Sequence, residues 1–354
     1  MKRTAFLLPL LCLPALILSS CRSGQGHAKE GFASAELLLV PDSIAIEQIL
    51  QPMAWKTSED KAVLLSQKTD SAFFVYRLPT FEYLYSFGAK GEGPDDFSFP
   101  FLRTESADDQ EFSALDLMKN IRHFYTLGDT AACKTGSDTY GERLYNVLFP
   151  VNDSVFLQQN SDISGDYLLS YYCTVTPEGE TIDSIIPLSH TKSFRIARSK
   201  ETIGIHGTIY NSPRLAYRNG RLAIFYSDLR RTDLFDITPQ GRFVLCSSTG
   251  DASTREQINA MDLENLEKGY TVCAIQGTPD HIYLLCADFR KDPDQGRKVL
   301  HSYVEVYDWE GRPVKKFDLS RPFDRFLVAP RYGKIFCYLS DEDFKQVFSY
   351  DYKL

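Results

Sequence analysis

The feature that most restricts this chain is a spaced recurrence. A polar turn runs into an apolar segment at Asp60, Gln110, Asp153, Gly220, Asp280 and Gly333, at intervals of 50, 43, 67, 60 and 53 residues. Segments such as 71–76, 222–226 and 282–286 are short runs of Val, Ile, Leu, Tyr and Phe bounded by Gly, Pro, Asn and Asp, which is strand patterning. In three modules a second tight turn follows, at 176–179, 238–241 and 308–311. Each ends in glycine, which takes the positive φ such hairpins need. A sheet module of about 40–50 residues cannot bury both faces alone and must stack on its neighbours. Four strands per module closed into a ring is a β-propeller, and six turns predict six blades. A β-sandwich with coincidental spacing is the competing reading.

Ring closure sharpens the expectation. After Gly333 only two good strands remain, 334–339 and 346–352, so the last blade is short of strands. Residues 37–40 or 44–46 are the candidates to supply its outer strand and cover an open sheet edge. Helical periodicity is scarce. The best helix candidate is 253–268, where Ser253 and Glu256 are spaced as a capping box and Ile258, Met261 and Leu266 share a face. It reads as an insertion between sheet modules.

The first twenty residues are a targeting segment. Lys2 and Arg3 precede an apolar run, 5–18, that contains Pro9 and Pro14. It is shorter than the about 20 residues a membrane span needs. Leu18-Ser19-Ser20-Cys21 resembles a bacterial lipobox, which implies cleavage before Cys21 and lipid on its thiol. The expected organisation is a lipoprotein signal peptide at 1–20, a flexible linker at 21–35 and a six-bladed domain at 36–354. The partner this implies first is a membrane, held through buried acyl chains at about 0.8 kcal/mol per CH₂. Arg22 stands where Asp would resemble an inner-membrane retention signal, and no acidic cluster follows Cys21. The periplasmic face of the outer membrane is therefore favoured over the cell surface.

Removing residues 1–20 takes away two cations and no acid, so the formal charge moves from −8 to −10. A chain this acidic has no electrostatic footprint for nucleic acid.

A search for chemistry finds no catalytic constellation, no cofactor motif and no metal-ligand spacing. The Gly-rich stretch 88–93 lacks the Gly-Lys-Ser/Thr ending of a phosphate loop. The six histidines are isolated, and there is no Cys-x-x-Cys. Asp292-Pro293-Asp294-Gln295-Gly296 lacks the third oxygen ligand and distal Glu of a calcium loop. There is no Gly-x-Ser-x-Gly elbow. Tyr140, Tyr145, Tyr171, Tyr172 and Tyr210 read as blade packing before they read as a ligand-stacking surface. Arg214, Arg218, Arg221, Arg230 and Arg231 fall in one module, and pairing with the acidic excess is preferred over an anion-binding patch. A two-residue turn at Pro279-Asp280 would set Cys273 opposite Cys286, within disulfide range. Five Asp-Ser/Thr-aliphatic triplets, beginning at Asp42, Asp70, Asp129, Asp153 and Asp183, resemble the O-glycan acceptor of some Gram-negative envelope proteins.

Two segments carry a family resemblance. Phe87-Gly88-Ala89-Lys90-Gly91-Glu92-Gly93-Pro94-Asp95-Asp96-Phe97, with Pro100 beyond, resembles the inter-blade loop of NHL-type propellers. Residues 303–319, with their Val-Tyr-Asp-Trp-Glu-Gly turn, resemble the penultimate blade of TolB-like six-bladed propeller lipoproteins. The resemblance spans roughly 37–354 and implies a six-bladed ring in a periplasmic or surface setting. It implies no single ligand, because propellers host many functions. The expected function is a non-catalytic, membrane-tethered binding or scaffold propeller that engages a peptide, protein or glycan of the envelope. The alternative is a metal-dependent propeller enzyme of lactonase or glycan-cleaving type. The channel mouth separates them: three or more converging carboxylate or amide oxygens favour the enzyme, an apolar or mixed lining the binder. The loops 88–100 and 290–297 are the first places to look.

Overall fold

The structure is a computed structural model that describes residues 32–354, apart from 33, 39–40, 49, 67, 105–111, 141–146, 165–166, 199–202, 262–266, 293–295 and 341–343. Two short strands come first, β1 (Ala35–Leu38) and β2 (Asp42–Ala45). Blade 1 is β3 to β6 (Pro52–Ser58, Lys61–Ser66, Ser71–Arg77, Glu82–Ala89). Blade 2 is β7 to β10 (Pro100–Phe101, Phe112–Asp116, Ile121–Leu127, Ala132–Thr139). Blade 3 is β11 to β14 (Val147–Asn152, Val155–Ser164, Tyr167–Val175, Thr181–Ile185). A separate hairpin follows, β15 and β16 (His190–Arg198, Ile203–Tyr210). Blade 4 is β17 to β20 (Pro213–Arg218, Arg221–Tyr226, Arg231–Ile237, Phe243–Gly250), and then comes a helix, α1 (Arg255–Ala260). Blade 5 is β21 to β24 (Lys268–Gly277, His281–Asp292, Gly296–Asp308, Pro313–Leu319). Blade 6 holds β25 to β27 (Arg325–Ala329, Lys334–Tyr338, Gln346–Asp351).

The expected turns fall on one structural position. Asp60, Asp153, Gly220, Asp280 and Gly333 lie between the first and second strands of their blades, and Gln110 lies outside the described residues. The turns ending at Gly179, Gly241 and Gly311 join third to fourth strands, with φ of 82°, 81° and 77°. The interval of 67 residues contains the β15–β16 hairpin, and the interval of 60 contains α1. Each anomaly in spacing is thus an insertion between blades.

Both closure candidates are used, in different blades. β2 pairs antiparallel with β27 as the fourth strand of blade 6, with Asp42 opposite Ser349. β1 lies parallel to β24 as a fifth strand of blade 5, with Leu38 opposite Leu319. The physical reason is the same for each: an outermost strand offers unpaired backbone groups that an added strand satisfies.

The core is distributed, not central. Six clusters of buried apolar residues each join one pair of neighbouring blades, including Trp55 with Phe336 between blades 1 and 6. Six interfaces for six blades is a closed ring. Rings do much of the wedging: Phe73 meets Phe97 and Phe112 edge-on between blades 1 and 2, at 5.1 and 6.0 Å.

Two local expectations need correction. The helix is capped one residue later than expected, by Thr254 and Gln257 instead of Ser253 and Glu256. It spans only six residues, with Ile258 buried, and Leu266 lies outside the described residues. Cys273 and Cys286 are both free thiols and do not face each other. The expected register holds from Ala274–Leu285 to Gly277–Ile282, but a bulge at Cys273 sets Val272 opposite Cys286. Cys273 then packs toward blade 6 and Cys286 toward blade 4, on opposite faces of the sheet.

Candidate ligand-binding site

Each blade presents its first strand to the ring axis, so residues far apart in sequence meet around a channel. A cavity of about 440 Å³ is lined from all six: Met53 and Trp55 of β3, Phe101 of β7, Phe149 of β11, Arg214 of β17, Ile275 of β21 and Arg325 of β25. Most of these residues stand at or near the start of their strands. Ser170, Ser189, Ser212 and Gln159 add hydroxyl and amide groups. A second cavity of about 270 Å³ takes residues from the far ends of inner strands, among them Thr57, Gly277 and Pro330. Trp55, Thr104 and Gln276 line both cavities.

Gln276 is fixed at this waist. Its amide donates to the Val328 carbonyl at 2.8 Å and accepts from the Val328 N–H at 2.8 Å. One side chain of blade 5 thereby imitates a strand pairing with blade 6.

The charged groups of the larger cavity are three arginines, Arg103, Arg214 and Arg325, and no carboxylate is among its described lining residues. Arg103 lies over the rings of Phe101 and Phe149, at 5.6 and 5.7 Å. Phe149 is itself stacked on Tyr217 at 4.8 Å. Arg214 donates from Nε to the Val272 carbonyl at 3.4 Å. Arg325 donates from Nη1 to the Asp324 carbonyl at 3.0 Å and to its carboxylate at 3.3 Å. Cys273 also lines the cavity, and burial pushes its thiol up to about 11. It is protonated at neutral pH and is no nucleophile there.

The two loops singled out in the sequence do other work. The connection between blades 1 and 2 is tied down internally by Asp116, which is fully buried. Its carboxylate accepts from the backbone N–H groups of Ser98, Phe99, Met118 and Lys119. Lys119 in turn donates to the carbonyls of Gly93 and Asp96 at 2.7 and 2.6 Å. The 290–297 segment is the tip of the β22–β23 hairpin, with 293–295 outside the described residues. No described residue of either loop lines the cavity.

The arginine-rich module divides by role. Arg221 grips Asp236 with two bonds, at 2.8 and 3.1 Å, Arg231 pairs with Asp233, and Arg230 with Glu305 and Asp288. Those three match the preferred reading, whereas Arg214 lines the channel. Tyr172 is buried in the blade 3–4 core, where its ring also borders the channel; Tyr140 is buried between blades 2 and 3. Tyr145 lies outside the described residues. Arg103 and Arg325 escaped sequence reasoning. Arg103 lies two residues beyond β7 and Arg325 opens β25, first strands that the sequence patterning had not marked.

Residues 41–330 match the TolB-like 6-blade propeller-like family. The chain belongs to that family. Among solved structures, this TolB-like chain is similar to a protein of Bacteroides fragilis described as exported, at 12% identity and a TM-score of 0.45, covering 92% of this chain and 97% of that one. It is also similar to a member of the DUF4221 family from Bacteroides vulgatus, at 10% identity and a TM-score of 0.47, covering 88% and 97%. At these identities the likeness concerns the fold alone. No curated protein matches the chain.

Proposed function

We propose that this TolB-like chain is a non-catalytic binding or scaffold propeller, held at the periplasmic face of the outer membrane by lipid on Cys21. It engages an envelope component at the mouth of its channel. The observation that carries the reading is the lining of the larger cavity: ring faces, hydroxyls and three arginines, with no carboxylate among the described residues. A concave, mostly preformed pocket with a few placed polar groups is how propellers and other scaffolds hold ligands. The enzyme alternative needs either oxygen ligands for a cation or an activated nucleophile. Among the described lining residues there are two side-chain amides, Gln159 and Gln276, and the second is bonded at both ends. Cys273 is held as a neutral thiol by burial.

The test is activity profiling of the purified chain on lactones, glycans and peptides, with and without calcium. No turnover is expected under either condition. Turnover that a single substitution in the channel lining abolishes would overturn the reading.

A further inference from the structure

The three arginines of the channel are not clustered on one side. Arg103 belongs to blade 2, Arg214 to blade 4 and Arg325 to blade 6. Alternate blades of a six-membered ring are a third of a turn apart, so guanidinium groups stand around the cavity instead of along one wall. We propose that the channel mouth takes a compact acidic saccharide, a sugar bearing carboxylate, sulfate or phosphate groups. This deepens the reading of the mouth as a binding site and rests on it.

Charge and geometry both point to oxyanions. A guanidinium presents a planar fork of N–H donors that matches a carboxylate, sulfate or phosphate two bonds at a time. With five donors it can hold protein partners and still offer N–H groups to a ligand. Arg103 is oriented by the rings of Phe101 and Phe149 before any ligand arrives, which lowers the ordering cost of binding. The whole chain carries a formal charge of −8 and Arg325 already pairs with Asp324, so an anion here is held by direct contacts with the guanidinium groups and not by the net field.

The remaining lining selects a sugar. Ser170, Ser189 and Ser212 are among the lining residues and are of the type that matches sugar hydroxyls, and aromatic residues of the lining offer an apolar wall. The cavity, about 440 Å³, is of the size that encloses a small ligand. Arginine clusters also recognise acidic peptides, so an acidic peptide is the competing occupant that the test must separate.

The experiment is isothermal titration calorimetry of the full chain against digalacturonate, glucosamine 6-sulfate and glucose 6-phosphate. Maltose serves as the neutral sugar and hexaglutamate as the acidic peptide. At least one acidic sugar should bind at least tenfold more tightly than maltose, and 0.5 M salt should weaken it. Arg103→Gln and Arg214→Gln should each weaken that sugar about tenfold, and Arg214→Lys less so. Thermal melts of the variants separate lost binding from lost folding, and the salt dependence and the comparison among ligands on the unaltered chain stand without them. Maltose binding as tightly, hexaglutamate binding more tightly than any acidic sugar, or no acidic sugar binding at all would overturn the inference. Neutral-sugar binding would leave the binding reading standing and remove only the charge requirement. Turnover of an acidic sugar would do the reverse.

Discussion

Single residues in this chain hold the blades in register through backbone conformation and buried hydrogen bonds. Gly88 sits at φ +75° where the last strand of blade 1 turns toward blade 2, and a Cβ there would meet the Phe73 ring at 2.7 Å. Gly88→Ala should lower unfolding stability by about 1–3 kcal/mol, measured by urea denaturation, from strain and overpacking together. His123 is a second such point. It is 1% exposed, packed against the rings of Phe97 and Tyr125, with Nδ1 at 2.9 Å from the Ser137 hydroxyl. Its Nε2 is buried and has no hydrogen-bond partner among the described residues. Burial holds its protonation below the usual histidine range; Lys134 and Lys119 act in the same direction, and Asp116 and Asp95 against it. The unfolded chain therefore takes up a proton first as pH falls. The stabilising contribution is complete above the unfolded value, about 6.5, and is lost as pH falls below it through the depressed folded value. The urea midpoint should decline between pH 7.5 and 5.5, and His123→Phe should flatten that decline. An unchanged slope in the variant would show that other groups govern it.

At the scale of elements, the ring is locked by its first strands. β2 completes blade 6, and β1 extends blade 5. Lys315 on β24 reaches Glu36 on β1 at 2.6 Å, a half-exposed pair that adds little beside the backbone pairing. A chain starting at residue 48 leaves the outer edges of β24 and β27 uncovered. It should melt at lower temperature and self-associate by light scattering, whereas a chain starting at residue 32 should do neither. The elements were legible in sequence to different degrees. First-to-second-strand turns announced themselves because Asp, Asn and Gly mark a tight reversal locally. The bulge at Cys273 did not, because a one-residue slip depends on packing against both neighbouring blades. The α1 cap was displaced by one residue because Ser253 and Thr254 are both competent caps and only the surrounding contacts choose.

For the whole molecule, the proposed anchor sets the working geometry. Phe32 packs edge-on against Tyr307 in the blade 4–5 cluster, at 5.4 Å. With lipid on Cys21, the eleven residues from there to Phe32 span at most about 40 Å, so the ring would sit close to the bilayer surface. Mass spectrometry of the native protein should find an N-terminal peptide that begins at Cys21 and carries acyl chains; unmodified Cys21 within a longer peptide would refute the anchor. The same spectra test the glycan triplets. Ser43, Thr130, Ser154 and Ser184 are exposed and Ser71 is half-buried, so added hexose mass is expected at the first four. The sequence alone determined the ring: turn spacing and strand patterning are local signals that recur from module to module, and the shortage of strands after Gly333 marks the closing blade. It also carried the lipobox-like run, because that resemblance rests on a contiguous stretch of residues. Only the tertiary structure decided the channel. Arg103, Arg214 and Arg325 lie more than a hundred residues apart along the chain, and nothing local to any one of them tells which way its strand faces. Closure of the ring brings them to one cavity, and closure is a property of all six blades together.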